Sequence, residues 1–377
     1  MRLSCLQENL ARGLSVVGRA VATRTTLPIT QNVLVSTDQS RLKLAATNTE
    51  IAITTWIGAQ IEEEGSITIP ARLLTELVNS LPAERIDMTS SDTPTSLSIN
   101  CARFSANING IDADEFPPIP TVETGVAGKI EPKVLRDAIS HVAFAAATEE
   151  SRPVLTGIKV EIEGDNFTFA AADGFRLAVY KGSLVEALSE DTSFIVPARA
   201  LQEVNRLIGG QEQPIDFTVT PSKSAALFRL DNVEVVTQLL QGTFPNYSQL
   251  IPQSHDTRAL VRLDEFLRAA RSASIFARDG AGVVRLMVSG GAEGSPGKLS
   301  IASKAEELGD NEGDVDAQVD GEEAKIAFNA KYLADVLEVL EETEVALETT
   351  TPSSPGVIRP VGTDRYIHVV MPMFVQW

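Results

Sequence analysis

Apolar residues along this chain recur in two rhythms, and each rhythm returns at nearly the same interval. Leu10, Leu14, Val17 and Val21 fall on one helical face and predict a helix over Glu8–Ala22, with counterparts over Lys133–Ala147 and Asp264–Ala277. Leu10, Leu135 and Leu267 align across the three at offsets of 125 and 132. A second helix start is also repeated: Pro70-Ala-Arg72, Pro197-Ala-Arg199 and Asn329-Ala-Lys331 stand 127 and 132 residues apart. Each copy leaves a β-branched run through Pro or Asn, which suits a helix start, and enters an apolar face. Leu74, Leu201 and Leu333 fill one position of that face, and Leu77, Val204 and Val336 the position three residues on. The interval is domain-sized, well beyond the roughly 20–50 residues of a solenoid repeat.

The other rhythm has period two. Asn32–Ser36, Leu42–Ala46 and Glu50–Trp56 alternate between the first pair of helices, and Gly157–Glu163, Asn166–Ala171 and Arg176–Lys181 between the second. Val283–Ser289 and Lys298–Ala302 do so in the third, and further short runs follow each second helix. Such runs, separated by Gly, Asn, Asp and Pro, predict antiparallel strands. The fold class is therefore α+β: three repeated domains, each two helices packed on one face of about eight antiparallel strands. Pro-rich stretches at Asp114–Pro120 and Gly242–Pro252 punctuate the repeat, their Phe-Pro pairs 128 apart, and set the domains at 1–122, 123–252 and 253–377.

A hydrophobic fraction of 43% with 22% charged residues fits cores of ordinary size, and 5% aromatic residues makes them aliphatic. No apolar run reaches the roughly 18–20 residues of a membrane span, and the charged start does not read as a secretory signal, so cytoplasm is expected. Cys5 and Cys101 read as buried reduced thiols. The net charge of −19 argues against holding nucleic acid by affinity alone. Residues 304–350 carry fifteen acids and three bases, −12 of that total, which leaves −7 for the rest and lets bases gather on particular faces. Three scattered histidines, no Cys-x-x-Cys and no nucleophile elbow or Walker loop give no metal, cofactor or catalytic constellation. The Gly290–Gly297 stretch reads as a flexible hairpin. Asp316–Gly321 hints at a calcium loop, but Ala327 stands where its twelfth-position carboxylate belongs, so a solvated acidic hairpin loop is expected.

Five motifs in order carry a resemblance: Arg24-Thr-Thr-Leu-Pro-Ile29, Ile69-Pro-Ala-Arg72, Ala172-Asp-Gly-Phe-Arg-Leu-Ala178, Thr243-Phe-Pro-Asn-Tyr247 and Val369-Val-Met-Pro-Met373. On these the chain resembles, over essentially its whole length, the β subunits of bacterial DNA polymerase III, the replicative sliding clamps. The resemblance implies a DNA clamp fold, a head-to-tail ring of two chains with sheets outside and helices lining a hole. It implies an interface in which Phe104, Ala106 and Ile108 of one chain meet Ile275 and Phe276 of the other. Ala106 is smaller than the side chain the resemblance leads one to expect.

By the same resemblance Arg24, Arg72, Glu149, Pro153 and Val154 touch double-stranded DNA, without sequence preference. Arg199 and Lys331, the repeat-mates of Arg72, are added from the internal alignment, with Lys331 contributing least because Asp335, Glu338, Glu341 and Glu342 follow it. A partner groove is implied at Leu155, Ala172, Gly174, Phe175, Arg176, Leu177, Pro245, Leu250, Val369, Val370 and Met371. It would receive Gln- and Leu/Phe-containing peptides of the polymerase III catalytic subunit, the clamp loader, and other polymerases and repair proteins. Arg176 and Gly174 are expected at its polar rim and close-approach point, Phe175 and Ala172 make it more apolar, and Phe374 and Trp377 are expected to rest beside it. The implied function is a non-enzymatic, nucleoid-associated processivity clamp. An enzyme with an inter-domain cleft is the alternative, and it lacks convergent titratable groups.

Overall fold

A computed structural model of the chain describes residues 1–93, 95–149, 151–278, 281–291 and 296–377. Four residues of the glycine-rich hairpin, 292–295, thus lie outside the described residues. Among those described there are six α-helices: α1 (Gln7–Val17), α2 (Ala71–Ser80), α3 (Pro132–Val142), α4 (Ala198–Ile208), α5 (Leu263–Arg278) and α6 (Ala330–Val339). Helices α1 and α3 end sooner than their apolar faces suggest, because each last turn tightens into a 3₁₀ turn, Gly18–Ala20 and Ala143–Ala145.

The repeated helix starts differ in how they begin. Pro70 leads α2 in without a side-chain cap, whereas the Asn329 side chain accepts from the Lys331 and Tyr332 amides at 2.9 and 3.3 Å. The inward faces agree at the first two positions, Ala71 and Leu74 in α2, Ala198 and Leu201 in α4, Ala330 and Leu333 in α6. At the third, α4 and α6 bury Val204 and Val336, whereas α2 buries Val78 and leaves Leu77 half-buried.

The chain forms two compact units, 1–132 with 200–239, and 133–199 with 240–377. The first holds two antiparallel sheets. One runs in the order Gln60–Glu63, Arg2–Leu6, Arg85–Asp92, Thr95–Cys101, Phe104–Asn109. The other runs Val126–Ile130, Ile215–Val219, Ala225–Leu230, Val233–Gln238, Ile51–Gly58, Arg41–Thr47, Asn32–Asp38, Ser66–Pro70. Helix α1 buries Leu10, Leu14 and Val17 here, and it lies so close to the sheet that a Cβ on Gly13 would come within 2.8 Å of the Leu44 side chain. The seam of the eight-stranded sheet is the pairing of Val233–Gln238 with Ile51–Gly58.

The second unit is built on one twelve-stranded antiparallel sheet. Its order is Thr192–Pro197, Gly157–Glu163, Asn166–Ala172, Arg176–Ser183, Tyr366–Val370, Gly356–Pro360, Glu344–Thr349, Thr257–Arg262, Gly309–Gly321, Gly297–Ala305, Val283–Ser289, Ala324–Asn329. Here the corresponding seam is Arg176–Ser183 against Tyr366–Val370.

The acidic stretch expected as a hairpin loop is a strand. Gly309–Gly321 turns Val315 and Ala317 inward and Asp310, Glu312, Asp314, Asp316 and Asp320 outward. Period-two alternation lets a strand be dense in carboxylates on one face and apolar on the other. Ser300 and Lys298 on the neighbouring strand donate to Asp314, holding its carboxyl below the usual range.

Candidate partner groove and DNA-facing side chains

At the seam of the second unit, alternate residues of four adjacent strands line up in one row: Ala172 opposite Leu177, Leu177 opposite Val369, Val369 opposite Val357. A second row, Ala170, Val179 and Ile367, lies beside it, and these seven side chains form one buried apolar cluster. Tyr247 and Ile251 lie over this floor. Leu155 belongs to a neighbouring cluster with Ile195 and Phe244, and Tyr247 touches both clusters. The Tyr247 hydroxyl donates to Glu161, and burial together with that carboxylate pushes the phenol above its ordinary range. A cleft of about 390 Å³, lined by Val179, Ile367, Tyr247, Ile251 and charged residues such as Lys181 and Glu163, opens on the same face.

Around the floor, large apolar side chains face water. Phe175 is 62% exposed, Leu250 51% and Met371 43%. Their presentation is a backbone matter. Asp173 accepts from the Phe175 and Arg176 amides at 2.8 and 3.0 Å, Gly174 takes φ +95° in the turn, and the Met371 amide donates to the Phe175 carbonyl at 2.8 Å. Pro245 and Gly174 are exposed, whereas Val370 is buried.

Arg176 is not a rim residue. Its guanidinium donates to Asp173 at 2.9 Å, to Asp335 at 2.7 Å and to the Phe144 carbonyl at 2.6 Å, and it stacks over the Tyr332 ring at 4.3 Å. Each of its three nitrogens is engaged inside the protein, so it braces the turn that presents Phe175. The tail also differs from expectation. The Met373 amide donates to the Ala327 carbonyl at 2.8 Å, and the Trp377 ring lies 6.0 Å from Arg285 and 5.9 Å from Lys325, which draw it onto their own strands by cation–π attraction. Beneath the seam, on the opposite face, His368 is fully buried with Nδ1 3.1 Å from the Tyr366 hydroxyl. Burial, then the nearby Arg176 charge, push it down to about 3.

The cations expected to meet DNA are exposed. Arg24 lies in the loop before the Pro28–Gln31 turn. Arg72, Arg199 and Lys331 each occupy the second position of their helices. Arg72 pairs with Glu76 at 2.8 Å and Lys331 with Asp335 at 2.6 Å. In α4 the equivalent acid, Glu203, bonds instead to Arg206 at 2.5 Å and Arg19 at 3.3 Å. A cation in a helix's first turn is opposed by the macrodipole. Helix stability therefore does not account for a base recurring there three times. Glu149, Pro153 and Val154 sit among groove residues: Glu149 lines a small cleft with Phe175 and Tyr332, Pro153 opens the turn that carries Leu155, and Val154 packs against the Leu155–Phe244 cluster.

Three family models describing the N-terminal, central and C-terminal domains of the DNA polymerase III beta subunit match residues 1–120, 129–246 and 248–374. The chain is 31% identical to the beta sliding clamp of Synechococcus elongatus over 376 residues, 99% of both chains. It is 30% identical to that of Bacillus subtilis over 384 residues, again 99% of both. The chain belongs to the DNA polymerase III beta subunit family. Solved structures agree: the Bacillus subtilis sliding clamp superposes with a TM-score of 0.94 at 29% identity, and the Thermotoga maritima beta subunit with 0.89 at 25%, each covering 100% of both chains.

A beta subunit is a sliding clamp, a non-catalytic processivity subunit that works with DNA and the polymerase, and the enzyme reading finds no support among these relatives. Three clamp domains of mixed helix and antiparallel sheet are what the sequence repeat predicts. Of the interface residues, Phe104 and Ile275 are exposed and Ala106 and Phe276 partly so. Ile108 is 5% exposed: its side chain sits opposite Leu97 in its own sheet and is already used in that core, so in the single chain it presents no open apolar surface. The groove residues that sequence reasoning missed are Ala170, Val179, Tyr247, Ile251, Val357 and Ile367. Only Tyr247 had a signal, as the end of the Thr243-Phe-Pro-Asn-Tyr247 motif.

Proposed function

We propose that two of these chains close head to tail around duplex DNA, and that the seam of the second unit receives short peptides of replication and repair proteins. Each chain contributes domains 1–122, 123–252 and 253–377. Arg24, Arg72 and Arg199 make exchangeable phosphate contacts, and Lys331, held by Asp335, contributes least. The observation that carries the reading is the groove: a buried apolar row flanked by exposed Phe175, Leu250 and Met371, an arrangement that soluble surfaces rarely leave without a partner. The partners are the polymerase catalytic subunit, the clamp loader, and other polymerases and repair proteins bearing such a peptide, with the ring working on the nucleoid in the cytoplasm.

Open strand edges support ring closure. Phe104–Asn109 is the outer strand of its sheet, and Gly309–Gly321 is paired on one side only up to residue 316. The first follows the exposed Arg103, and the second carries Asp310, Glu312, Asp314 and Asp316, so the two edges differ in charge as a heterologous contact requires. Loading onto closed circular DNA, followed by release when the circle is linearised, tests the ring. Retention on linear DNA at the same salt would refute it.

A further inference from the structure

The seam of the first unit repeats the groove in register. Leu227, Val236, Ala52 and Thr47 lie opposite one another across four strands, as Val357, Val369, Leu177 and Ala172 do in the second unit. The turn beside it is the same device: Asn48 accepts from the Glu50 and Ile51 amides at 3.1 and 2.9 Å, as Asp173 does, and Thr49 takes φ +77° where Gly174 takes +95°. What differs is the cover. The strap that begins Phe116-Pro117 corresponds to the one that begins Phe244-Pro245, so that Ile119 matches Tyr247 and Val122 matches Leu250. Leu250 is 51% exposed, whereas Val122 is 4% exposed and packs on Ala52, Ala225, Leu227 and Val236, with Ile119 beside it.

We propose that the first-unit seam is a second, latent peptide site, and that residues Pro117–Val122 occupy it as a built-in ligand. The occupant it would take when vacated is an extended peptide with Leu or Phe anchors, the class proposed for the second-unit groove, on which this inference rests. Two features fit a displaceable occupant. From Pro117 to Gly125 the described strap makes no backbone hydrogen bond, so side-chain burial alone holds it. Its three prolines hold it extended, as a docked peptide is held. Ala52, standing where the other seam has Leu177, leaves room that Val122 fills.

A fluorescein-labelled peptide carrying Gln, Leu and Phe is titrated onto the full chain and onto Ile119→Ser/Val122→Ser and Val122→Asp variants, with amide exchange read in parallel. The native chain binds one peptide. The variants are expected to bind two, the second protecting the strands Ile51–Gly58 and Val233–Gln238 from exchange. In a Met371→Ala background the second event persists while the first weakens. One peptide per chain in both variants, with the native site still bound, overturns the latent site and leaves the groove reading standing. No binding to the native chain overturns the groove reading itself and the latent site with it.

Discussion

Arg176 offers the sharpest test of how the groove is built. Truncating it to Ala removes a largely buried guanidinium from two carboxylates, Asp173 and Asp335, and from the Phe144 carbonyl, and leaves those acceptors mostly shielded from water, Asp335 keeping its pairing with Lys331. Breaking a buried ion pair from one side typically costs about 3–5 kcal/mol. For a cooperative unit of this size, each kcal/mol lowers Tm by about 2–4 °C, so the second unit should melt roughly 6–20 °C lower. Lys at the same position keeps the charge but cannot reach three acceptors at once, and Arg176→Lys should recover less than half of the loss. The measurement is thermal unfolding followed by a probe in the second unit, beside peptide affinity measured well below the melting range. If Arg176→Ala melts within about 2 °C of the native chain and loses only peptide affinity, the brace is wrong and the side chain belongs to the rim after all.

Other outcomes follow from single side chains. Met371→Ala should weaken peptide binding roughly 10- to 100-fold, as removal of one buried anchor does, with the oligomeric state unchanged on gel filtration. Arg72→Ala/Arg199→Ala should flatten the slope of log K against log salt on short duplexes by about 0.9 for each phosphate no longer neutralised; an unaltered slope would remove both from the DNA surface. His368, held neutral with its value pushed down to about 3, binds a proton in the unfolded chain below about 6.5 but not in the folded one. Its contribution is therefore complete above that pH and declines as pH falls, by up to about 1.4 kcal/mol per unit between 6.5 and 3. Unfolding free energies of the native chain and His368→Leu between pH 6.5 and 5 should diverge in slope, and parallel curves would refute the burial argument.

The repeat, the helix faces and most strands were legible because period-two and helical spacing are local. Val283–Ser289 and Gly157–Glu163 have the bounds their alternation predicts. The Gly309–Gly321 strand was not legible, since the aspartates of its outer face and Asn311 and Gly313 at inward positions all carry turn chemistry, while only Val315, Ala317 and Val319 mark the inner face as apolar. Ile108 and Arg176 show a second limit. A motif identifies a position, but which way the side chain turns is decided by partners elsewhere in the chain, Leu97 for one and Asp335 for the other. The groove floor is of the same kind: Ala172 and Val357 become neighbours only through two intervening strands that pair across the seam.

The seam's place in the middle of a twelve-stranded sheet also decides what kind of grip it can have. Every strand under the floor is already hydrogen-bonded on both sides, so an arriving peptide cannot extend the sheet and must be held by its side chains. Affinity then rests on two or three anchors rather than on a ladder of backbone bonds. Release needs no strand to peel away. A platform of this kind favours rapid turnover of its occupants, in which one protein succeeds another by local concentration while the platform itself stays where it is.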